Sequence, residues 1–464
     1  MRAFILGSDS REHAFACKLK QEDKVSDIFA APGNAGIAEE TKIVDIEIND
    51  VEAVKEFIKE NQIDLIYVGE ENLCRQGLVD SLKDYDIQVI GPRQNAVQLN
   101  DDNLQKRRFL LNNNIPTVDC GMFAELDNAR KYLEEADYPL QIRPAQASPD
   151  KTLRQPIATS DKKEAREVVE RLLSPKTDKQ SQGEGDSTSS ASAGAEILIE
   201  EIPEGERVSV FALSDGDIIL PLSSARIHRA VFEGGEGALT SGMGAYSPLP
   251  AVSFQTDKII YSKIMLSLLE GLKQSGFTHQ GFITAEIIIT DRGPRVVDFQ
   301  LNLSSTAAVT IIPRLNDSLS GLLQEAAEGS IQEKQVSWSQ KTAVSIVITS
   351  GGYPLMHEEG FLIEGLEQTE QDNTKIFHIS TRREDDKILT AGGRVIAVTA
   401  LAEGHFSAVD RVNRCVEKIN FQDMHYRTDI GSGAVLDISM EEIAEEEFEQ
   451  DEDSLFEREW DEEI

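Results

Sequence analysis

The sequence predicts a multidomain protein of mixed α/β and α+β class, and three observations carry that reading. The chain has 464 residues, more than one ordinary hydrophobic core organises, so three or four domains are expected. Strand and helix signals alternate through the first hundred residues, the pattern of a parallel sheet covered on both faces. After residue 195 the signals change to strand–turn–strand, the pattern of antiparallel sheet.

Taken in order, "MRAFILG" is an apolar strand, "SREHAFACKLKQE" a helix and "VSDIFAAPG" a strand ending in a turn. "DVEAVKEFIKENQ" and "QGLVDSLKDYD" are helices that alternate with the strands "IDLIYVG" and "IQVIG". Residues 101–140 read as helical and then extended. Residues 174–194, rich in Ser, Gly and charge, read as a flexible insertion. "AEILIEEIPEGERVSVFALSDGDIILPL" is antiparallel, "TDKIIYSKIMLSLLEGLKQSG" a long amphipathic helix, and "KTAVSIVITSGGYP" opens a last β-rich domain. The expected divisions are 1–100, 101–330 with a smaller subdomain at about 118–195, 331–431, and a tail at 432–464.

Composition narrows the function classes. The formal charge is −36, of which the 14 acids and one arginine of residues 441–464 supply −13. So acidic a surface repels nucleic acid phosphates and anionic membranes, and neither is an expected partner. The tail alternates its acids with Ile443, Phe448, Leu455, Phe456 and Trp460. That fits a solvated end, or a short segment that docks a protein partner. No apolar run is long enough to span a bilayer. Cys17, Cys74, Cys120 and Cys415 are widely spaced, which points to a reducing cytosol rather than a disulfide framework.

Chemistry-bearing loops follow the strands. "LGSDSREHA" sets Gly7 and Ser8 between a strand and a helix, where backbone N–H groups approach an anion and Arg11 or His13 adds donors. A plain helix cap explains the same residues. "APGNAG" and "LTSGMGAYSP" are either tight turns or close-approach loops. In "VVDFQLNL", Asp298, Gln300 and Asn302 share one strand face, and a carboxylate beside amide oxygens suits Mg²⁺. A half-exposed strand is the alternative. No catalytic triad, HExxH or P-loop is present.

The order of these loops is more telling than any one. "GSDSREHA", "APGNAG", "VGEENLCRQGLVD", "IGPRQNAVQL", "NNNIPT", "IEEIPEGE", "SGMGAYSP", "SGGYP", "GGRVIAVTA" and "MHYRTDIG" run as do the motifs of the phosphoribosylamine–glycine ligase family, which the chain resembles over residues 1–431. The resemblance implies a Rossmann-like N-terminal domain, an ATP-grasp domain pair and a small β-rich C-terminal domain. It implies ATP and Mg²⁺ as cofactors, and a reaction joining phosphoribosylamine to glycine. It also implies a pocket for a phosphoribosyl metabolite on Gly7, Ser8, Arg11, Glu12, His13, Gly33, Asn34, Glu71, Gly242, Met243 and Gly244. A nucleotide site is implied on Arg143, Lys151, Glu200, Glu201 and Glu206, with a metal on Asp298 and Gln300.

Several matching positions have changed. Asp9 and Ser10 replace two glycines of the family's GSGGREHA, and Asn103 stands at a phosphate-facing lysine. The family's KADGLAAGKGV becomes "IRPAQASPDKTL", in which Pro144 and Pro149 remove amide donors. Ile227 replaces an acid, and Asp298 and Gln300 replace a Glu and an Asn. These changes lead to two expectations: a nucleotide cleft poor in cations, and a chain that is either a divergent ligase or a non-catalytic binding or regulatory homologue.

Overall fold

The computed structural model describes residues 1–145, 156–173, 196–249, 254–332, 334–369 and 373–433. Lys151, the 174–194 insertion and the tail from 434 onward lie outside the described residues.

The N-terminal sheet holds five parallel strands, with Arg2–Gly7 central between Asp27–Pro32 and Leu65–Val68, and Lys42–Ile43 and Gln88–Ile90 at the edges. Alternation along the central strand explains the covering of both faces. Ala3 and Ile5 pack with Ala14 and Phe15 of the helix Ser10–Lys20. Phe4 and Leu6 pack on the other side with Val54 and Ile58 of the helix Val51–Glu60.

Next comes a small lid. Its four strands lie in the order Cys120–Phe123, Ile197–Glu201, Leu140–Pro144, Ile157–Thr159. The helices Leu126–Glu135 and Lys162–Leu173 cover one side, with Ala129, Leu133, Val168 and Val169 buried against the sheet. The helix Leu126–Glu135 lies within a stretch read from sequence as extended.

The larger half of this region is an antiparallel sheet ordered Ile219–Pro221, Glu206–Asp215, Gln280–Thr290, Gly293–Gln300. The long amphipathic helix expected over 256–276 is present as Phe254–Ile259, Ile260–Met265 and Leu266–Gln274, the middle stretch having π geometry. Ile260, Ile264, Leu268 and Leu272 form its buried stripe.

The last sheet crosses the boundary drawn from sequence. It runs Arg226–Ala230, Leu239–Ser247, Thr342–Thr349, Arg394–Ala402, Thr374–His378. Gly244 is paired with Ile346, so a hairpin from the middle of the chain completes the C-terminal sheet.

The C-terminal sheet is also fastened to the N-terminal domain. The backbone N–H of His378 donates to His13 Nδ1 at 2.9 Å. Asn34 Nδ2 donates to the carbonyls of Ser8 at 2.8 Å and His378 at 2.9 Å, and Lys375 pairs with Glu40 at 3.1 Å. Gly36 sits inside this joint. A Cβ there would lie 2.3 Å from His13 Cε1 and 2.6 Å from His378 Cδ2. Gly36→Ala is therefore expected to lower stability by about 1–3 kcal/mol through overpacking, read as a lower urea midpoint.

Candidate functional site

A cavity of about 530 Å³ lies where the N-terminal loops meet the larger antiparallel sheet and the C-terminal sheet. Its floor is the turn from strand Arg2–Gly7 to helix Ser10–Lys20. Gly7 has φ +150, and a Cβ there would lie 2.7 Å from Glu12 Cγ, so a side chain does not fit. Asp9 caps the helix. Its carboxylate accepts the Ser10 N–H at 2.6 Å, while Glu12 accepts the Asp9 N–H at 3.0 Å. The other Asp9 oxygen accepts the Ser305 hydroxyl at 2.7 Å and Arg394 Nη2 at 3.1 Å. Burial alone would raise the Asp9 pKa, but Arg394, Ser305 and Arg11 outweigh it and hold the carboxyl below its usual range. Burial pushes Glu12 up, and Arg11 only partly offsets this.

Arg11 donates to Glu12 Oε1 at 2.7 Å and to the carbonyls of Leu303 and Gly69, each at 2.8 Å. Gly7, Ser8, Arg11, Glu12, Glu71 and Gln300 all border the cavity. His13, Gly33 and Asn34 do not, and His13 and Asn34 belong to the joint with the C-terminal sheet. Gly242, Met243 and Gly244 lie within the strand Leu239–Ser247, Met243 fully buried, and their neighbour Ser241 reaches the cavity instead.

The described residues on which the resemblance implies a nucleotide site lie on the lid and at the start of a strand of the larger sheet. Glu200 is fully buried on the lid strand Ile197–Glu201. One of its oxygens holds Arg107 Nη2; the other takes Arg143 Nε at 2.6 Å and Gln141 Nε2 at 3.1 Å. Arg143 and Arg107 are 5% and 2% exposed, so this is an interior ion cluster. Arg143 Nη1 also reaches Asp298 Oδ2 at 3.4 Å, and Lys106 Nζ lies 2.7 Å from Asp298 Oδ1. Burial would raise the Asp298 pKa, but Lys106 and Arg143 hold it far below the carboxylate range. Glu201 accepts the Tyr132 hydroxyl at 3.0 Å, and Glu206 lies 3.7 Å from Arg226.

The cation-poor cleft expected from sequence is not what the chain builds. Lys106 and Arg107, from the helix Asn103–Asn112, stand beside Arg143, and Arg229 pairs with Glu286 at 2.9 Å. Sequence reading singled out Asn103 on that helix. Asn103 Nδ2 donates to the Pro144 carbonyl at 2.9 Å, which ties the helix to the lid. The basic run Lys106-Arg107-Arg108 was the available signal, and it resembles any solvated helical face. Burial separates its members, since Arg108 is 55% exposed and Arg107 is not.

The residues present do not fit Mg²⁺ at Asp298. Glu286 lies opposite it in the strand register, and two facing carboxylates would invite a cation. The cations already there are organic: Lys106 and Arg143 on Asp298, Arg229 on Glu286. Asp298 Oδ1 also accepts the Phe299 N–H at 2.9 Å. Among the described residues, the carboxylate, His and Cys groups close enough to share a metal are His13, Cys17 and Glu40. There His13 Nδ1 is taken by the His378 N–H and Glu40 by Lys20 and Lys375.

Comparison with known proteins places these features. Residues 1–100 match the phosphoribosylglycinamide synthetase N domain, 102–305 its ATP-grasp (A) domain and 343–433 its C domain. A phosphoribosylamine–glycine ligase of Allochromatium vinosum is 34% identical across 94% of this chain and 99% of its own length. One from Halalkalibacterium halodurans is 31% identical across 94% and 97%. A trifunctional purine biosynthetic protein of Gallus gallus is 32% identical over 94% of this chain and 43% of its own length. In fold, the phosphoribosylamine–glycine ligase of Thermotoga maritima superposes with a TM-score of 0.74 at 20% identity, covering 93% of this chain and all of that one. The biotin carboxylase domain of a Hydrogenobacter thermophilus 2-oxoglutarate carboxylase, solved with MgADP, superposes with a TM-score of 0.64 at 13% identity, covering 92% and 91%. No described helix is long and apolar enough to cross a membrane. With near end-to-end identity above 30% and all three domain types matched in order, the chain belongs to the phosphoribosylamine–glycine ligase family.

Proposed function

We propose that this chain is a ligand-binding member of its family in which ATP-driven ligation has lapsed, with the N-terminal cavity as the retained site. One observation supports this above the others: Lys106 at 2.7 Å and Arg143 at 3.4 Å hold the Asp298 carboxylate that a divalent ion would need. Phosphoryl transfer depends on fixed charges at the reacting phosphates, and losing one such contact typically costs about 10²–10³ in rate. Here Arg143 and Arg107 are committed to Glu200. Ile227, where the resemblance implies an acid for the glycine amine, is a buried hydrocarbon.

The alternative is a working phosphoribosylamine–glycine ligase, favoured by 34% identity to a relative of that name. Calorimetry with ATP and MgCl₂, followed by an assay of glycine-dependent phosphate release with phosphoribosylamine, decides between them. The expected result is no magnesium-dependent heat at micromolar nucleotide and no phosphate released above the glycine-free control. Micromolar magnesium-dependent binding with glycine-dependent turnover overturns the proposal.

A further inference from the structure

Four guanidinium groups border the N-terminal cavity, and each already has a carboxylate. Arg11 pairs with Glu12 at 2.7 Å, Arg75 with Asp101 at 2.7 Å, Arg229 with Glu286 at 2.9 Å and Arg394 with Asp9 at 3.1 Å. The rest of the polar wall includes neutral groups such as Ser8, Ser241, Ser380, Gln300 and Asn302. Asn302 is 8% exposed. Its Oδ1 accepts the Tyr67 hydroxyl and the Leu303 N–H, each at 2.9 Å, while its buried Nδ2 has no hydrogen-bond partner.

The Asp9 corner shows what the wall rejects. A helix N-terminal amide, the Ser305 hydroxyl and the Arg394 guanidinium converge there on one carboxylate. That donor set suits an oxyanion, and the oxyanion it holds is a side chain of the same chain. Asp9 is about a third open to the cavity at 33% side-chain exposure, so an incoming phosphate would meet its charge directly. Hydroxyls are different. Each donates and accepts, so a polyol can bridge paired arginines and carboxylates without breaking them.

We propose that the cavity takes a neutral polyhydroxylated ligand, an unphosphorylated sugar or the sugar end of a nucleoside, with the Asp9 carboxylate already filling the donor set that an oxyanion of the ligand would need. This rests on the reading of the cavity as a binding site and extends it to ligand class and to a specificity-determining residue.

The test uses matched pairs that differ by one phosphate: D-ribose against D-ribose 5-phosphate, and inosine against inosine 5′-monophosphate. The full chain is titrated with each by calorimetry. The wild type should bind at least one neutral member with no loss relative to its phosphorylated counterpart. Asp9→Asn keeps a helix-capping side chain and removes the charge. It should shift the ratio at least about tenfold toward the phosphorylated member, and added salt should shrink the gain. Asp9→Ser is the second variant, with circular dichroism confirming the fold of each. A tenfold wild-type preference for phosphate overturns the proposal. So does an unchanged ratio in folded variants, or no binding of either neutral ligand at millimolar concentration. Turnover with ATP and glycine would overturn the loss of ligation while leaving these ratios to stand or fall separately.

Discussion

Replacing Glu200 by glutamine is expected to lower stability by about 3–5 kcal/mol, the range measured when one partner of a buried ion cluster is removed. Glu200 is fully buried and is shared by Arg107 and Arg143, themselves 2% and 5% exposed. Glutamine keeps the shape and one acceptor oxygen but leaves two interior guanidiniums short of counter-charge. Arg143 retains Asp298 at 3.4 Å, and Arg107 retains the Val297 carbonyl at 2.9 Å, so collapse is not expected. The contrast is Glu201→Gln on the same strand. Glu201 is half-buried and accepts the Tyr132 hydroxyl, and its loss should cost below about 1 kcal/mol. Urea unfolding of the two variants, with unchanged m-values, checks both figures. Equal and small effects would show that the cluster contributes little to the folded state.

Acidification should produce the second large effect. His13, His279 and His378 are 2%, 1% and 6% exposed. Burial lowers all three pKa values, to about 4 for His279 and His378 and well below the ordinary 6.5 for His13. Neighbouring charge adds to the burial, from His378 and Lys375 at His13, and from Lys375 and Arg383 at His378. The folded state therefore favours neutral imidazoles, and the unfolded chain binds more protons below pH 6.5. Their contribution is fully present above pH 6.5 and is lost as pH falls toward 4. At about 1.4 kcal/mol per unit for each group, His279 and His378 give on the order of 3 kcal/mol between pH 6.5 and 5, and His13 adds to the loss. Glu12, raised by burial, has the opposite sign and trims this loss. Asp9 and Asp298, held low, keep their contribution until the pH passes below about 4. Urea midpoints from pH 7.5 to 5 test the slope, and His378→Gln should flatten it by about one proton. A flat profile in the wild type would remove the argument.

Much of the N-terminal domain was legible because its strands are short, apolar and punctuated. "MRAFILG" and "IDLIYVG" became central parallel strands. The sequence reading set a helix cap at Gly7-Ser8, and the cap is one residue further on, where Asp9 and Glu12 form a capping box. The roles of His13 and Asn34 were not legible. Both reach His378 backbone more than 340 residues away, and loop composition does not encode so distant a contact. Lys106 and Arg107 escaped for a related reason. A basic run on a helix reads as a wet surface until a lid with Glu200 closes over it. The drift at Asp298 was visible, but the ammonium that answers it was not.

The hairpin that completes the C-terminal sheet has a mechanical consequence. Ser241 stands on the strand Leu239–Ser247 and Arg394 begins the strand Arg394–Ala402, both in one continuous ladder through Thr342–Thr349. Two walls of the cavity are thus carried by strands of a single plate. A molecule wedged against both presses on one sheet. What it can tilt is the plate as a whole against the N-terminal floor, along the seam where Asp9 meets Arg394.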